Sequence, residues 1–224
     1  MRQTLFLILR MDANLAKLIT KLFAQQKILC VTKIVMKKST KFTHMGRPSP
    51  KLGTSINPSV TRASTLLFEK AKDLYRGDIR TYGRHGMEVH DALCELFKEL
   101  EGGLGTVLFP SGLASCTFPI MANVKAGDHI LLTDSCYGPI RNFCQKQLKQ
   151  MDVETELYDP RIGAGIEALI RDNTSVIIME SPGSLSLEIQ DTPAIVKIAK
   201  AHNITTIIDN TWSAGLVYNP ISMG

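Results

Sequence analysis

The sequence predicts an α/β fold in which a mostly parallel sheet is flanked by helices. From residue 106 onward, short apolar, β-branched runs alternate with segments of helical length. Turn-forming residues, chiefly glycine, proline, aspartate and asparagine, separate the two kinds of segment. Strands that are joined through helices are typical of parallel sheets, and 224 residues suffice for one large domain or two small ones.

The first 41 residues differ in composition from the rest of the chain. They contain nine basic residues and one acid, Asp12, whereas the remainder contains 17 basic and 20 acidic residues. The spacing of the lysines fits a basic amphipathic helix, as in a targeting segment. Alternatively, the stretch precedes a true start at Met36 or Met45, and we favour this interpretation because nothing in it fits the strand–helix alternation. We therefore expect residues 1–41 to be a basic extension with little order.

Residues 42–103 are predicted to form an N-terminal arm with helices. Residues 42–65 are rich in proline, serine and threonine and predict an extended arm without a core of its own. A short helix is predicted over Phe68–Arg76 and a loop over Tyr82–Gly86. A longer helix is predicted over Glu88–Leu100, because its apolar residues share one helical face and Gly102 follows its end.

Residues 104–224 are predicted to form the sheet and its covering helices. The predicted strands are Thr106–Phe109, His129–Leu132, Val153–Leu157, Val176–Met179 and Ile204–Ile208. The predicted helices are Leu113–Val124, Pro139–Gln150, Ile166–Arg171 and Pro193–Ala201. Asp191 or Thr192 is expected to cap the last helix, with Pro193 in its first turn.

Composition argues against several classes of partner. After residue 41 the formal charge is −3, which predicts no nucleic-acid partner. The apolar run Leu5–Leu9 is too short to span a membrane, so no membrane partner is predicted. The five cysteines are odd in number and lack a CxxC pair. This pattern argues against a disulfide framework or a zinc site and for a reducing cytoplasm.

A carboxylate follows the last predicted strand. The strand Ile204–Ile208 is expected to be buried on both faces, and a carboxylate is costly to desolvate without a partner. In α/β sheets, ligands bind at the carboxyl ends of the strands, which makes Asp209 a candidate ligand-binding residue. The alternative is an aspartate that only caps the next turn.

Two further groups are predicted at the same edge of the sheet. The turn Pro110–Leu113 leads directly into a helix, whose free amide groups suit a phosphate, although it matches neither a GxGxxG nor a P-loop motif. Tyr137 follows the second predicted strand and can cover a flat ring. A phosphate cradle, an aromatic ring and a carboxylate together suit pyridoxal phosphate, whose pyridine nitrogen Asp209 would keep protonated.

Residues 49–224 resemble the transsulfuration enzymes, the cysteine/methionine-metabolism family of pyridoxal-phosphate proteins. The resemblance implies the type I, aspartate-aminotransferase-like fold for the large domain. Tyr82-Gly83-Arg84 matches the family's Tyr-x-Arg loop, which implies that Tyr82 and Arg84 reach across a dimer interface to the neighbouring subunit's cofactor phosphate.

The same resemblance implies roles for the residues at the sheet edge. Gly112 and Leu113 match the phosphate turn and would donate backbone N–H groups. Tyr137 matches the catalytic tyrosine that stacks on the pyridine ring and moves protons, and Asp209 matches the residue that pairs with the ring nitrogen. The family's usual assembly is a dimer of shared sites, arranged as a tetramer.

Two stretches favour the cystathionine β-lyase branch of that family: Glu180–Ser184 and Asp209–Gly215. This branch implies cleavage of cystathionine to homocysteine, pyruvate and ammonia in methionine biosynthesis, with cysteine desulfhydrase activity as a side reaction. The implied partners are therefore a small sulfur amino acid and further copies of the chain.

One departure from the family's pattern concerns the lysine that forms the Schiff base with the cofactor. In the family it lies downstream of the aspartate, in a Ser/Ala-x-Thr-Lys segment, whereas the last lysine here is Lys200. The expectation is an N-terminal and partial large-domain fragment of a lyase, without turnover of its own. The alternatives are a non-catalytic remnant that binds pyridoxal phosphate weakly, or a domain that binds another phosphorylated ligand.

Overall fold

The structure is a computed structural model that describes residues 36–47 and 55–224. The chain divides into two compact units, Met1–His44 and Met45–Gly224. In the first unit, a short helix α1 (Lys38–His44) is described. The prediction of a basic extension falls mainly on residues 1–35, which lie outside the described residues, as does the 48–54 part of the predicted arm.

The described part of the second unit begins with irregular structure. The predicted helix Phe68–Arg76 is only a 3-10 helix over Ala71–Tyr75. A single antiparallel bridge joins Thr65 to Tyr82, and a second 3-10 helix covers Gly83–His85. The predicted long helix is confirmed as α2 (Glu88–Glu101), which ends at Gly102 in the left-handed conformation with φ +72°.

The sheet contains four strands among the described residues. These are β1 (His129–Thr133), β2 (Glu154–Tyr158), β3 (Thr174–Glu180) and β4 (Thr205–Asp209). Their spatial order is β2-β1-β3-β4, and every pair is parallel. The predicted fold class is therefore confirmed.

One predicted strand is wrong. Residues 106–109 form no strand, and the side chains of Val107 and Leu108 are 75% and 38% exposed. Within the described residues, the sheet consists of the four strands named above, so the β-branched residues of this segment take part in no ladder.

Helices cover both faces of the sheet. They are α3 (Gly112–Ala122), α4 (Gly138–Asn142, continued by a π-helical segment Phe143–Leu148) and α5 (Thr192–Ala201). The predicted helix Ile166–Arg171 is instead a 3-10 helix over Gly163–Leu169. Asp191 is the N-cap of α5, as predicted, since its Oδ1 accepts a hydrogen bond from the Ala194 amide at 3.1 Å.

The core has two layers, one on each face of the sheet. Alternate residues of β1 point to opposite faces, so that Ile130 and Leu132 join one layer while Leu131 joins the other. The first layer also contains side chains of α3 and α4: Ile120, Ile140, Cys144 and Leu148. The second contains side chains of α5 and the 3-10 helix: Ile166, Ile195 and Ala199. Each fully buried aliphatic side chain stabilises the fold by about 2 kcal/mol.

The prediction that the strand before Asp209 is buried on both faces is wrong. Among the described residues, β4 is an edge strand that pairs only with β3, and its residues Ile207 and Ile208 are partly exposed. Ile204, which is buried, lies just before the strand begins. The end of β4 nevertheless carries Asp209, beside the end of β3.

Within the described residues, no helix has the length and apolar character needed to cross a membrane. Four cysteines fall in this part of the chain, and each is a free thiol: Cys94, Cys116, Cys136 and Cys144.

Candidate functional site

The carboxyl ends of β3 and β4 border a cavity of about 750 Å³. This volume is within the usual range of small-molecule sites. The lining residues come mainly from the end of α2, the start of α3, the turn after β1, the end of β3, and the end of β4 with the residues that follow it. The residues that matter for chemistry, through a side chain or a backbone amide, are Ser111, Gly112, Leu113, Cys116, Tyr137, Glu180 and Asp209.

Asp209 is held by donors on both carboxylate oxygens. Its Oδ1 accepts hydrogen bonds from the backbone amide of Thr211 at 3.0 Å and from the Thr211 hydroxyl at 2.5 Å. Its Oδ2 accepts a hydrogen bond from the Cys116 thiol at 3.6 Å. These contacts fix the plane of a partly buried carboxylate at the cavity wall, and they join α3 to the end of β4.

The Cys116 thiol is protonated near neutral pH. Burial, followed by the charge of Asp209 and the hydrogen bond to it, raises the pKa of Cys116 to about 11. The thiol is therefore a donor to Asp209 and not a second negative charge in the cavity.

The start of α3 presents two free backbone donors. Ser111 is the N-cap, and its Oγ accepts a hydrogen bond from the Ala114 amide at 3.2 Å. Gly112 and Leu113 are the first two residues of the helix, so their amides have no acceptor within it. A Cβ added at Gly112 would meet no atom within 4 Å, so the space beside this backbone is open. The helix dipole favours an anion there.

Tyr137 also lines the cavity. It follows the turn after β1 and is the N-cap residue of α4. Its side chain is 48% exposed, and its backbone amide donates a hydrogen bond to Glu180 Oε2 at 2.6 Å. The backbone of this residue is thus held from β3, while its ring remains available to a ligand.

Glu180 is a cavity residue that sequence reasoning missed. It ends β3 and is only 7% exposed, and its Oε1 accepts a hydrogen bond from the Ser184 hydroxyl at 2.6 Å. In the sequence, Glu180 stands out only as the first residue of the motif Glu180–Ser184. The signal that identified Asp209, a carboxylate that ends a strand in an α/β sheet, applies equally to Glu180.

A buried glutamine fixes the backbone behind Glu180. Gln190 Nε2 donates to the carbonyl of Glu180 at 2.8 Å and to Thr133 Oγ1 at 3.1 Å. Its Oε1 accepts a hydrogen bond from the Tyr158 hydroxyl at 3.0 Å. This network joins the ends of β1, β2 and β3, which makes the floor of the site rigid.

Tyr82 and Arg84 do not line the cavity of their own chain. They belong to the turn around Gly83, where an added Cβ would lie 2.3 Å from the carbonyl oxygen of Ala63. The exposed Arg84 guanidinium lies 5.6 Å from the centre of the Tyr82 ring. The prediction that these two residues serve a neighbouring subunit stays a prediction.

The charged side chains that line the cavity are all acidic within the described residues. Three carboxylates line it, those of Glu101, Glu180 and Asp209, whereas the lining within the described residues includes no lysine, arginine or histidine. The carboxylate region suits a cationic ring, and the start of α3 suits an anion. In the described part of the chain, no group of three His, Cys, Asp or Glu residues is placed to hold a metal ion.

The chain is similar to pyridoxal-phosphate enzymes over most of its length. The family described as Cys/Met metabolism PLP-dependent enzyme matches residues 39–224. A cystathionine beta-lyase of Haemophilus influenzae is 42% identical over 191 residues, which cover 82% of this chain and 48% of that protein. An L-alanine/L-glutamate racemase of Wolbachia pipientis is 34% identical over 204 residues, which cover 84% of this chain and 50% of that protein.

The similarity extends to solved structures. The crystal structure of cystathionine gamma-lyase from Lactobacillus plantarum, complexed with L-serine, superposes with a TM-score of 0.76 at 30% sequence identity. The match covers 84% of this chain and 48% of that one. The chain thus spans about half the length of the relatives that it matches.

Proposed function

Because the chain belongs to the Cys/Met metabolism PLP-dependent enzyme family, we propose that it forms the cofactor-binding part of a carbon–sulfur lyase of the cystathionine β-lyase type. The proposed reaction, in the cytoplasm, is cleavage of cystathionine to homocysteine, pyruvate and ammonia, with cysteine desulfhydration as a side reaction. The observation that carries this proposal is that a helix N-terminus, an aromatic ring and a held carboxylate line one cavity.

The residues present fit pyridoxal phosphate. The amides of Gly112 and Leu113 bind the phosphate at the start of α3, where the space is open. Asp209 holds a proton on the pyridine nitrogen, and its own orientation is set by Thr211 and Cys116. The chemistry that pyridoxal phosphate supplies when bound is electron withdrawal from the α-carbon of an amino acid.

Tyr137 is proposed to act in two ways. Its ring covers one face of the pyridine ring, for which its half-exposed side chain at the cavity wall is suited. Its hydroxyl moves a proton to or from the substrate during carbon–sulfur cleavage. The hydrogen bond from its backbone amide to Glu180 keeps the residue in place for both roles.

The phosphate requires positive charge that the cavity itself does not provide. Its described lining contains carboxylates but no basic side chain. Tyr82 and Arg84 of a second copy are proposed to complete the phosphate site, since Arg84 is exposed on a turn that packs closely against the Ala63 backbone. The working unit is then at least a dimer with shared sites, and a tetramer by analogy with the family.

A second candidate function is weak pyridoxal-phosphate binding without catalysis. Within the described residues no lysine lines the cavity, and the last lysine of the sequence is Lys200, in α5. In this second candidate the cofactor is held by non-covalent contacts such as those of Gly112, Leu113 and Asp209, because the covalent step requires a lysine amine.

The single tryptophan provides a direct test of binding. Trp212 is the only tryptophan in the sequence, and it lines the cavity. We expect pyridoxal phosphate to quench Trp212 fluorescence saturably, and pyridoxal, which lacks the phosphate, to bind at least about 10-fold more weakly because it leaves the α3 amides unpaired. Equal affinities for the two ligands, or no saturable quenching, would contradict the proposed cofactor site.

Activity separates the two candidate functions. Purified protein with pyridoxal phosphate is incubated with cystathionine, with cysteine and with L-alanine, and pyruvate, free thiol and D-alanine are measured. Release of pyruvate from cystathionine supports the lyase. Saturable binding with no product from any substrate supports the non-catalytic binder, and D-alanine alone would replace the lyase proposal with racemisation.

A further inference from the structure

We infer that Glu180 is a positioning residue that holds Tyr137 in place over the cofactor ring. This inference rests on the proposed function, because it concerns the place of Tyr137 in a pyridoxal-phosphate site. Its geometric basis, the contact between Glu180 and the Tyr137 backbone, is present in the protein without any ligand.

The contact is short and sheltered from water. Glu180 Oε2 accepts the Tyr137 amide at 2.6 Å, and Oε1 accepts the Ser184 hydroxyl at 2.6 Å. Glu180 as a whole is only 7% exposed. Hydrogen bonds to a carboxylate are stronger than those between neutral groups, and burial strengthens them further.

A carboxylate is better suited to this position than an amide. Both side-chain oxygens of Glu180 face donors, an N–H from Tyr137 and an O–H from Ser184. A glutamine can offer an oxygen to only one of them and must turn its NH₂ group toward the other. The serine hydroxyl can rotate and accept instead, so the glutamine variant keeps the Tyr137 contact when its oxygen faces that amide.

The position of Tyr137 depends on this contact because of where the residue lies in the chain. Tyr137 is the N-cap of α4, with φ −54° and ψ 126°, at the point where the chain leaves the turn after β1. Glu180 belongs to β3, whose end is fixed by the hydrogen bond from Gln190 to the Glu180 carbonyl. The carboxylate therefore connects the turn before α4 to the end of a sheet strand.

The same strand pairing also sets the position of Asp209, the proposed partner of the pyridine nitrogen. Glu180 and Asp209 are register partners in β3 and β4. One β-ladder thus places both the residue that holds Tyr137 and the residue that faces the pyridine nitrogen. The distance between the Tyr137 backbone and Asp209 therefore depends on this ladder through the Glu180 contact.

The first test measures the contact without the cofactor. Amide hydrogen exchange of Tyr137 is followed in the native 224-residue chain and in the variants Glu180→Ala, Glu180→Gln and Ser184→Ala. We expect Glu180→Ala to accelerate exchange of this amide by about 10-fold or more, Glu180→Gln to have a smaller effect, and Ser184→Ala to leave it within about twofold. Unchanged Tyr137 exchange in Glu180→Ala would overturn the inference whether or not the protein binds pyridoxal phosphate.

The second test asks whether Glu180 acts through Tyr137. Pyridoxal-phosphate affinity is measured by Trp212 quenching for Glu180→Ala, Tyr137→Ala and the double variant, with Glu154→Ala at the opposite end of the sheet as control. If Glu180 works by positioning Tyr137, the double variant binds about as weakly as Tyr137→Ala alone, because the two effects are not additive. Additive losses, or a Glu180→Ala protein with normal affinity, would overturn it. If Glu180→Ala does not fold, the same cycle is run with Glu180→Leu, which has a similar size but offers no acceptor to the Tyr137 amide.

These outcomes are distinguishable from failure of the proposed function. If the native protein does not bind pyridoxal phosphate, the proposed function fails while the exchange experiment still decides whether Glu180 holds Tyr137. If the native protein binds the cofactor and Glu180→Ala retains both affinity and amide protection, only the positioning role fails.

Discussion

Glu180 and Asp209 are directly paired in register at the carboxyl ends of two neighbouring parallel strands. Residues paired in this way point their side chains to the same face, so the two carboxylates border the same cavity. They use their oxygens differently: Glu180 accepts from Tyr137 and Ser184, whereas Asp209 accepts from Thr211 and Cys116. The pairing of β3 with β4 therefore positions both carboxylates at the site.

The charge of Asp209 is expected to determine cofactor affinity. In Asp209→Asn the side chain keeps its size but loses the charge that stabilises a protonated pyridine ring, so we expect affinity for pyridoxal phosphate to fall about 10- to 100-fold. The affinity is measured by Trp212 quenching. The control is Asp172→Asn. Asp172 precedes the amino-terminal end of β3, away from the cavity, so this variant should bind normally. An Asp209→Asn protein with native affinity would remove Asp209 from the site.

Arg84 is expected to serve the cofactor of a neighbouring subunit. Arg84→Ala removes a charge-assisted contact to the phosphate, so cofactor affinity should fall about 10-fold or more. The control is Arg161→Ala, an exposed arginine paired with Asp159. Both proteins are measured by Trp212 quenching over a range of protein concentrations, because a shared site also requires association of the chains.

Mixing two defective proteins tests whether the site is shared. If Arg84 comes from one chain and Asp209 from the other, a mixed dimer of Arg84→Ala and Asp209→Asn chains contains one intact site. Random exchange of subunits then restores native affinity to about one quarter of the sites. Mixtures that bind no better than the average of the two variants would show that Arg84 acts within its own chain or not at all.

The sheet was predictable because its signal is local. The apolar runs of β1 and β3 are bounded by turn residues, and their alternate residues enter the two layers of the core. Thr106–Phe109 has the same local signal but no paired neighbour among the described residues, and pairing cannot be read from one segment alone. The edge position of β4 was missed for the same reason.

The candidate site was predictable in part. Asp209 ends β4 and Tyr137 follows β1, so the rule for parallel sheets brought them to one edge. The start of α3 lies at the same cavity although the strand predicted before it is absent. Glu180 satisfies the same rule but was hidden within a longer motif. The contacts of Cys116 with Asp209 and of Gln190 with Glu180 join residues 93 and 10 positions apart, and no periodicity of the sequence indicates them.

Cys116 provides an internal probe of the charge of Asp209. Burial and the neighbouring carboxylate raise the pKa of Cys116 to about 11, so little thiolate is present at pH 8 and alkylation of this residue should be slow. Asp209→Asn removes the charge and changes the hydrogen-bond partner, which lowers the pKa of Cys116 and raises the thiolate fraction. We expect several-fold faster alkylation of the Cys116 peptide between pH 8 and 10, measured by mass spectrometry. The Cys94 peptide, from α2, serves as the internal reference, and equal acceleration at both cysteines would indicate general loosening of the fold instead.

His129 is expected to make the protein less stable in mild acid. Its side chain is fully buried at the start of β1, where Nδ1 lies 2.8 Å from Thr174 Oγ1. Burial, followed by the charge of Arg171, lowers the pKa of His129, and these effects outweigh the opposing charges of Glu156 and Glu154. The folded protein therefore binds this proton less readily than the unfolded chain, in which histidine titrates near pH 6.5. Because the unfolded state gains the proton first, the free energy of unfolding should decrease as the pH falls below about 6.5, until the lowered pKa of the folded state is reached.

His129→Gln has no group that titrates in this range and should show a flatter dependence of the free energy of unfolding on pH between pH 5 and 7, measured by urea unfolding. His202→Gln, which changes an exposed histidine, is the control. Identical slopes for the native protein and His129→Gln would mean that the carboxylates alone control stability in this range.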